Sequence, residues 1–298
     1  MTDIMAKSAG LKTSQLIINA VFILYSICCI GPLLLILAGS LSTEEDITVT
    51  GVNILPRHYS LNAYAFILGN GKAVLSAYFY SILATVLGTL CGLIIMAALA
   101  YPISRKSFKY RNGISFYIYF TMLFNGGLVP LYLVYTQLVN LKNSWLALIV
   151  PNMIAGFHIL LIRGYMTQNI PDEIVSSAEI DGASTYSIFY SIILPLSRPV
   201  LLTVALLSGI AYWNDQFRNL LLITDDRIKN LQYLLYTMIQ QIANFSQNPN
   251  IVRKLNGNIP DVTARMAMAV ITVGPLALLF PFLSKFFVKG MVIGAIKG

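Results

Sequence analysis

Residues 13–43 contain no charged side chain. A run of that length exceeds what a soluble core helix needs, and it suits a helix crossing a hydrocarbon layer ~30 Å thick, which takes ~20 apolar residues. The pattern recurs along the chain. Six spans are predicted, over residues 16–41, 74–101, 114–139, 145–162, 199–213 and 264–287. The fifth is short, and reaches full length only if a helix from residue 188 contributes, with Pro195 and Pro199 making a bend. Charged residues are only 11% of the chain, against about 25% in soluble domains, and they gather between the runs. The fold class is therefore an all-α membrane protein. No cleavable signal peptide is expected, because the first run is too long for a signal h-region of ~7–15 residues.

The placement of Lys and Arg sets the orientation. Lys7, Lys12, Arg105, Lys106, Lys109, Arg111, Arg163, Arg198, Lys285 and Lys289 fall on one side if the N-terminus is inside. Glu44, Glu45, Asp46, Lys142 and the mixed segment 214–261 fall on the other. An N-in, C-in topology satisfies the rule. The organisation expected is a cytoplasmic N-terminus (1–15), a six-helix domain (16–289) with an internal loop (163–198) and a long external loop (214–261), and a cytoplasmic tail (290–298). The external loop is too long for a simple connector. It carries Leu231, Leu234, Leu235, Met238 and Ile242 at helical spacing, then turns polar.

Composition and motifs exclude several function classes. The net charge of +8 belongs to loops flanking the spans, where it meets anionic lipid rather than nucleic acid. Cys28, Cys29 and Cys91 form neither a zinc spacing nor a disulfide framework, and read as small buried hydrophobes. The span interiors hold no Asp or Glu, which argues against a proton-coupled carrier and an intramembrane protease. No nucleophile motif and no phosphate-binding Gly-x4-Gly-Lys loop is present, so the chain is expected to be no enzyme and to hold no metal or cofactor.

The most distinctive polar stretch is the internal segment 171–184, followed by Ile192-Ile193-Leu194-Pro195. Pro171 suits a helix start, and Asp172 and Glu173 then meet the positive end of the helix dipole. Ser176, Ser177, Ala178 and Ala183 are small enough for another backbone to approach. Gly182 can take the positive φ that turns the chain into a second helix, over about 184–194, stopped by Pro195. The product is a helix–turn–helix elbow at the membrane surface.

The elbow resembles the cytoplasmic signature of permease subunits of ATP-binding-cassette importers: Glu-Ala-Ala, three residues, Gly, nine residues, then Ile-x-Leu-Pro. Ser176-Ser177-Ala178, Gly182 and Ile192-Ile193-Leu194-Pro195 keep that spacing, with Ser176 and Ser177 departing from the usual Glu-Ala. Residues 124–130 (Phe-Asn-Gly-Gly-Leu-Val-Pro), the step Tyr212-Trp213-Asn214-Asp215 and the tail 287–298 are similar to the carbohydrate branch, the maltose-type and polysaccharide-type permeases. The resemblance covers nearly the whole chain and implies a type I importer permease. It also implies a second homologous permease, two ATPase subunits carrying ATP and Mg, an extracytoplasmic solute-binding protein and a place in the bacterial cytoplasmic membrane. In that family the elbow is the coupling helix, which implies ATPase contact at Glu173, Ser176, Ser177, Ala178, Glu179, Asp181, Gly182, Ala183 and Pro195. The external loop would meet the binding protein, and the tail the ATPases. An importer of a non-sugar solute and an ATPase-independent secondary carrier remain as alternatives.

Candidates for the substrate pathway are Asn125, Gly126, Gly127, Tyr132, Tyr135, Asn152, Trp213 and Asn214. Gly-Gly followed by Pro130 can open a helix, and bared backbone at membrane depth needs protein or water around it. Tyrosine can stack on a sugar ring. Small-residue packing and interfacial anchoring are the competing explanations. His158 reads as a satisfied structural histidine near the inner interface rather than a proton relay.

Overall fold

The structure is a computed structural model that describes residues 2–69, 71–246 and 260–295. It is helical throughout, and among the described residues the only β pairing is an isolated bridge between Ser42 and Tyr59. In chain order the α-helices are α1 (Thr2–Ser40), α2 (Glu44–Thr50), α3 (Asn62–Leu68), α4 (Gly71–Ser104), α5 (Arg111–Leu123), α6 (Leu128–Leu133) and α7 (Gly156–Asn169). They continue with α8 (Asp172–Ile180), α9 (Thr185–Ile188), α10 (Leu194–Leu196), α11 (Arg198–Trp213), α12 (Phe217–Leu222), α13 (Leu231–Ser246) and α14 (Val262–Ala295). Two compact units are formed, one from residues 1–70 and 239–274, the other from 71–238 and 275–298.

Three apolar stretches are continuous and long enough to cross a bilayer: Gln15–Ser40, Gly71–Ser104 and Val262–Leu279. The other three predicted spans are each broken. Arg111–Leu123 and Leu128–Leu138 meet at 111°, Trp145–Asn152 and Gly156–Asn169 at 48°, and Thr185–Leu196 and Arg198–Trp213 at 78°. Their sequences supply the causes. At the first break Phe124 is extended and Gly127 has φ +90°, a conformation that costs glycine little. The Asn125 side chain accepts the Gly127 N–H there at 2.9 Å. In the second pair Pro151 lies in a short 3₁₀ turn, Val150–Asn152, ahead of an extended Ala155. In the third, Pro199 has no N–H to continue the ladder. Residues 114–139 are therefore two helices meeting at a break, and the helix expected over 145–162 breaks at 153–155 and runs on to Asn169. The second arm of the elbow passes through a π turn at Phe189–Ile193 and includes Pro195, ending at Ser197 rather than at the proline.

In the second unit α4 is the axis. Met96, Ala97, Ala100 and Ile103 pack with Ile159, Ile162 and Met166 of α7 and with Val200 and Val204 of α11. Val175, Ile188 and Ile193 join the same cluster, which ties the elbow to the base of the bundle. Two glycines set the spacing of α4. A Cβ on Gly92 would lie 2.4 Å from the Met153 carbonyl oxygen, and one on Gly88 would lie 2.3 Å from the Tyr212 ring. Tyr212 reaches past Gly88 to donate its hydroxyl to the Ile149 carbonyl at 2.6 Å.

In the first unit Glu44 caps the last long helix. Its carboxylate accepts the N–H groups of Val262 and Thr263 at 2.9 Å each, and the Thr263 hydroxyl at 2.6 Å. A carboxylate is well placed at the positive end of α14. Asp46 accepts from the Thr43 hydroxyl and pairs with His58, and these contacts hold its carboxyl below the usual carboxylate range.

Cys28, Cys29 and Cys91 are free and exposed on this chain, not buried as their composition suggested. Hydrocarbon tails are as apolar as the side chains, so a span carries no obligation to bury them.

Candidate functional site

The elbow is built by local rules. α8 begins after Pro171, with Asp172 and Glu173 in its first turn. It ends in a Schellman closure: Ala183 donates its N–H to the Ala178 carbonyl at 2.9 Å, and Gly182 to the Glu179 carbonyl at 3.1 Å. Gly182 takes φ +81°, which would cost any side chain about 1–2 kcal/mol. The Ser184 hydroxyl then caps α9 by accepting the Ser187 N–H at 3.2 Å. The turn thus satisfies its own backbone.

Its two faces differ sharply. Val175 is 7% exposed, and Ala178 and Ala183 pack partly against the bundle core. Glu173, Ser176, Ser177, Glu179, Asp181 and Gly182 are exposed. Ile180 and Tyr186 flank the glycine and are 87% and 80% exposed. The sequence reading missed both residues. Ile180 lies inside the motif, and reading it against Val175 on a helical wheel puts the two on different faces.

The reading also missed Arg105, counted only as one of several loop charges. Its side chain is buried, and each of its three nitrogens donates. Nε donates to the Ser104 hydroxyl at 3.0 Å, Nη2 to the Met166 carbonyl at 2.9 Å, and Nη1 to the Ile170 carbonyl and to Asp172 Oδ1, both at 3.0 Å. Its guanidinium carbon lies 5.9 Å from the centre of the Tyr101 ring. Hydrogen bonds to a charged group contribute about 1.5–3 kcal/mol apiece, and a cation offsets the negative end of a helix. Arg105 therefore caps the end of α7. α7 returns the favour at the end of α4: Arg163 donates to the Ile103 carbonyl at 3.1 Å, and the Thr167 hydroxyl to the Ser104 carbonyl at 3.3 Å.

The eight pathway candidates sit in several local settings. Asn125, Gly126 and Gly127 are exposed at the break between α5 and α6. Tyr132 and Tyr135 pack on a separate cluster around Leu141, Leu148 and Tyr212. Asn152 donates to Asp215 Oδ2 at 3.0 Å. Asn214 is exposed and bonds the Ile210 carbonyl and Gln232. Trp213 is buried and lines an apolar cavity of about 260 Å³ with residues such as Thr85, Leu206 and Leu276. His158 meets the Ser208 hydroxyl at 3.2 Å.

Asp215 is a further hub. Besides Asn152 it accepts the Arg218 N–H at 3.2 Å and pairs with the Arg218 guanidinium at 3.3 Å, while Asn230 donates to its carbonyl. α13 forms where the helical spacing placed it, with Leu231, Leu234, Leu235 and Ile242 buried. The polar stretch after it falls largely outside the described residues, and the tail only partly within them.

The family described as the binding-protein-dependent transport system inner membrane component matches residues 84–293, from the middle of α4 through the elbow to the end of α14. The chain belongs to this family. This permease is similar to the polygalacturonan/rhamnogalacturonan transport system permease protein YtcP of Bacillus subtilis, at 31% identity over 95% of the chain and 98% of the relative. It is 36% identical to protein LplC of the same organism, over 90% of this chain and 89% of that one. Among solved structures it resembles a bacterial ATP-binding-cassette transporter involved in the import of the acidic polysaccharide alginate. That likeness has a TM-score of 0.80 at 27% identity and covers 91% of this chain and 95% of the other. The permease is thus a membrane component of a transport system.

Proposed function

We propose that this permease is one of two homologous membrane subunits of an ATP-driven importer of oligosaccharides. It spans the membrane six times, each broken pair counting as one span, with both termini inside. An external binding protein delivers the sugar. Two ATPases below hydrolyse ATP with Mg, and this chain holds neither. The pathway candidates line part of the route, with the bared backbone at Asn125–Gly127 facing its water-filled side. The substrate class rests on the relatives: one is named for polygalacturonan and rhamnogalacturonan, and the solved neighbour imports alginate.

One observation carries the reading of the elbow. Ile180 and Tyr186 stand exposed on either side of a closed glycine turn while Val175 anchors the same helix from behind. A polar loop that holds two large apolar side chains in water is shaped for a partner. ATPase closure pushes on this turn, and the spans answer by alternating access.

The test is co-purification from the native membrane. An ATPase subunit is expected with the wild-type permease and lost with Tyr186→Arg, while wild type and variant insert equally. Uptake of oligogalacturonides and of maltotriose then separates acidic from neutral substrates. A Tyr186→Arg permease that keeps its ATPase and its uptake would show that the elbow is not the contact.

A further inference from the structure

Arg105 lies in the loop between α4 and α5, outside the motif that marks the elbow. We infer that it is a positioning residue of the coupling step, the joint through which displacement of the elbow reaches the ends of α4 and α7. The inference rests on the elbow being the ATPase contact.

The geometry of a joint is present. One guanidinium holds both sides: Nη1 and Nη2 grip the last carbonyls of α7, and Nη1 also holds Asp172 at the first turn of α8. Its own backbone follows directly on α4, and Nε is fixed by Ser104. The planar fork makes these contacts simultaneously, which a lysine ammonium cannot do with the same directionality. The two ends of the joint differ in stiffness. Toward α7 the Arg105 side chain, 7% exposed, is bonded to carbonyls within a packed core. Toward the elbow Asp172 is 45% exposed. Beside that pair opens a groove of about 500 Å³ lined by Tyr101, Lys106, Asp172, Ser176 and Glu179. The groove leaves α8 room to shift while Arg105 stays attached to the helix ends. Apart from Val175 and the small face of Ala178 and Ala183, little else in the elbow's first arm reaches the bundle. The second arm reaches the core through Ile188, Phe189 and Ile193; from the first arm the polar route inward is Arg105.

Hydrogen exchange on the whole transporter in lipid nanodiscs tests this, comparing the resting complex with one trapped by ATP, Mg and vanadate. In the wild type, segments 172–184, 99–104 and 163–169 are expected to change exchange together. In Arg105→Gln the elbow should still respond, while the response of the two helix ends falls by about fivefold or more, the lower range of ordinary coupling between sites. Arg105→Lys should restore part of it. Asp172→Asn keeps the grip on α7 and loosens only the elbow side, and should weaken transmission to the helix ends without altering the elbow response. Helix ends that respond in Arg105→Gln as in the wild type would overturn the inference. If Arg105→Gln does not assemble, Asp172→Asn decides, and an unchanged response there overturns it too. An elbow silent in the wild type would instead remove the proposed ATPase contact, and the joint with it.

Discussion

Two turns of this permease follow directly on long helices and are built by opposite strategies. The turn after α11 closes on itself: Asp215 is buried and its carboxylate is saturated by Asn152 and Arg218. The elbow after α7 satisfies its backbone locally, through the Schellman closure and the Ser184 cap, and leaves apolar Ile180 and Tyr186 in water. The first arrangement completes a fold. The second is complete as a backbone and incomplete as a surface. Where polar groups are buried and paired, the molecule is its own partner; where large apolar groups stay outside a closed turn, the partner is another chain.

Substitutions at the two turns should therefore separate stability from association. Asp215→Ala strands Arg218 and Asn152 and is expected to cost about 3 kcal/mol of stability, read as a lowered unfolding temperature in detergent, whereas substitutions of the elbow's exposed side chains should not approach that loss. Ile180→Asp should leave the unfolding temperature unchanged and weaken binding of the isolated ATPase to permease nanodiscs by about 30-fold, the roughly 2 kcal/mol of a hot-spot side chain. An Ile180→Asp permease that melts early, or that binds the ATPase normally, would erase the contrast. Gly182→Ala places a Cβ at φ +81°; the strain of about 1 kcal/mol should appear as faster exchange in 172–184 alone. The smallest effect tests the turn at Asp225. There bonds from the Arg227 guanidinium and backbone N–H hold the carboxyl at about 2, below the ordinary 3.8. Because the folded value is the lower one, the interaction is fully present above about pH 4 and fades as the pH falls toward 2. Infrared titration of the carboxylate should show the depressed midpoint in the wild type and its return toward 3.8 in Arg227→Ala.

The long apolar stretches and the elbow were legible because each depends on local information: hydropathy runs, a proline start, a glycine turn. The break in the third span was signalled by Gly126, Gly127 and Pro130, but its 111° angle was not, since a glycine permits a bend without fixing it. The bend before α11 announced itself through Pro195 and Pro199, while the π turn preceding it had no signature. Arg105 was visible as a charge and invisible as a cap, because its meaning lies in the carbonyls of Met166 and Ile170, more than 60 positions away. Asp215 was quoted within a family motif without its partners, for the same reason. The cysteines were misjudged because burial was assumed to be owed to protein, and on a span lipid can take that place.

The exposed pair at the elbow also bears on supply. Two large apolar side chains in water are too small a patch to precipitate a membrane protein, yet they are what a protease or chaperone recognises in an unfinished assembly. A permease made in excess of its ATPases would carry that mark until a partner covered it. On the proposed ATPase contact, the same residues would report whether a motor is there, and removing the copies left uncovered would correct the ratio of subunits in the membrane.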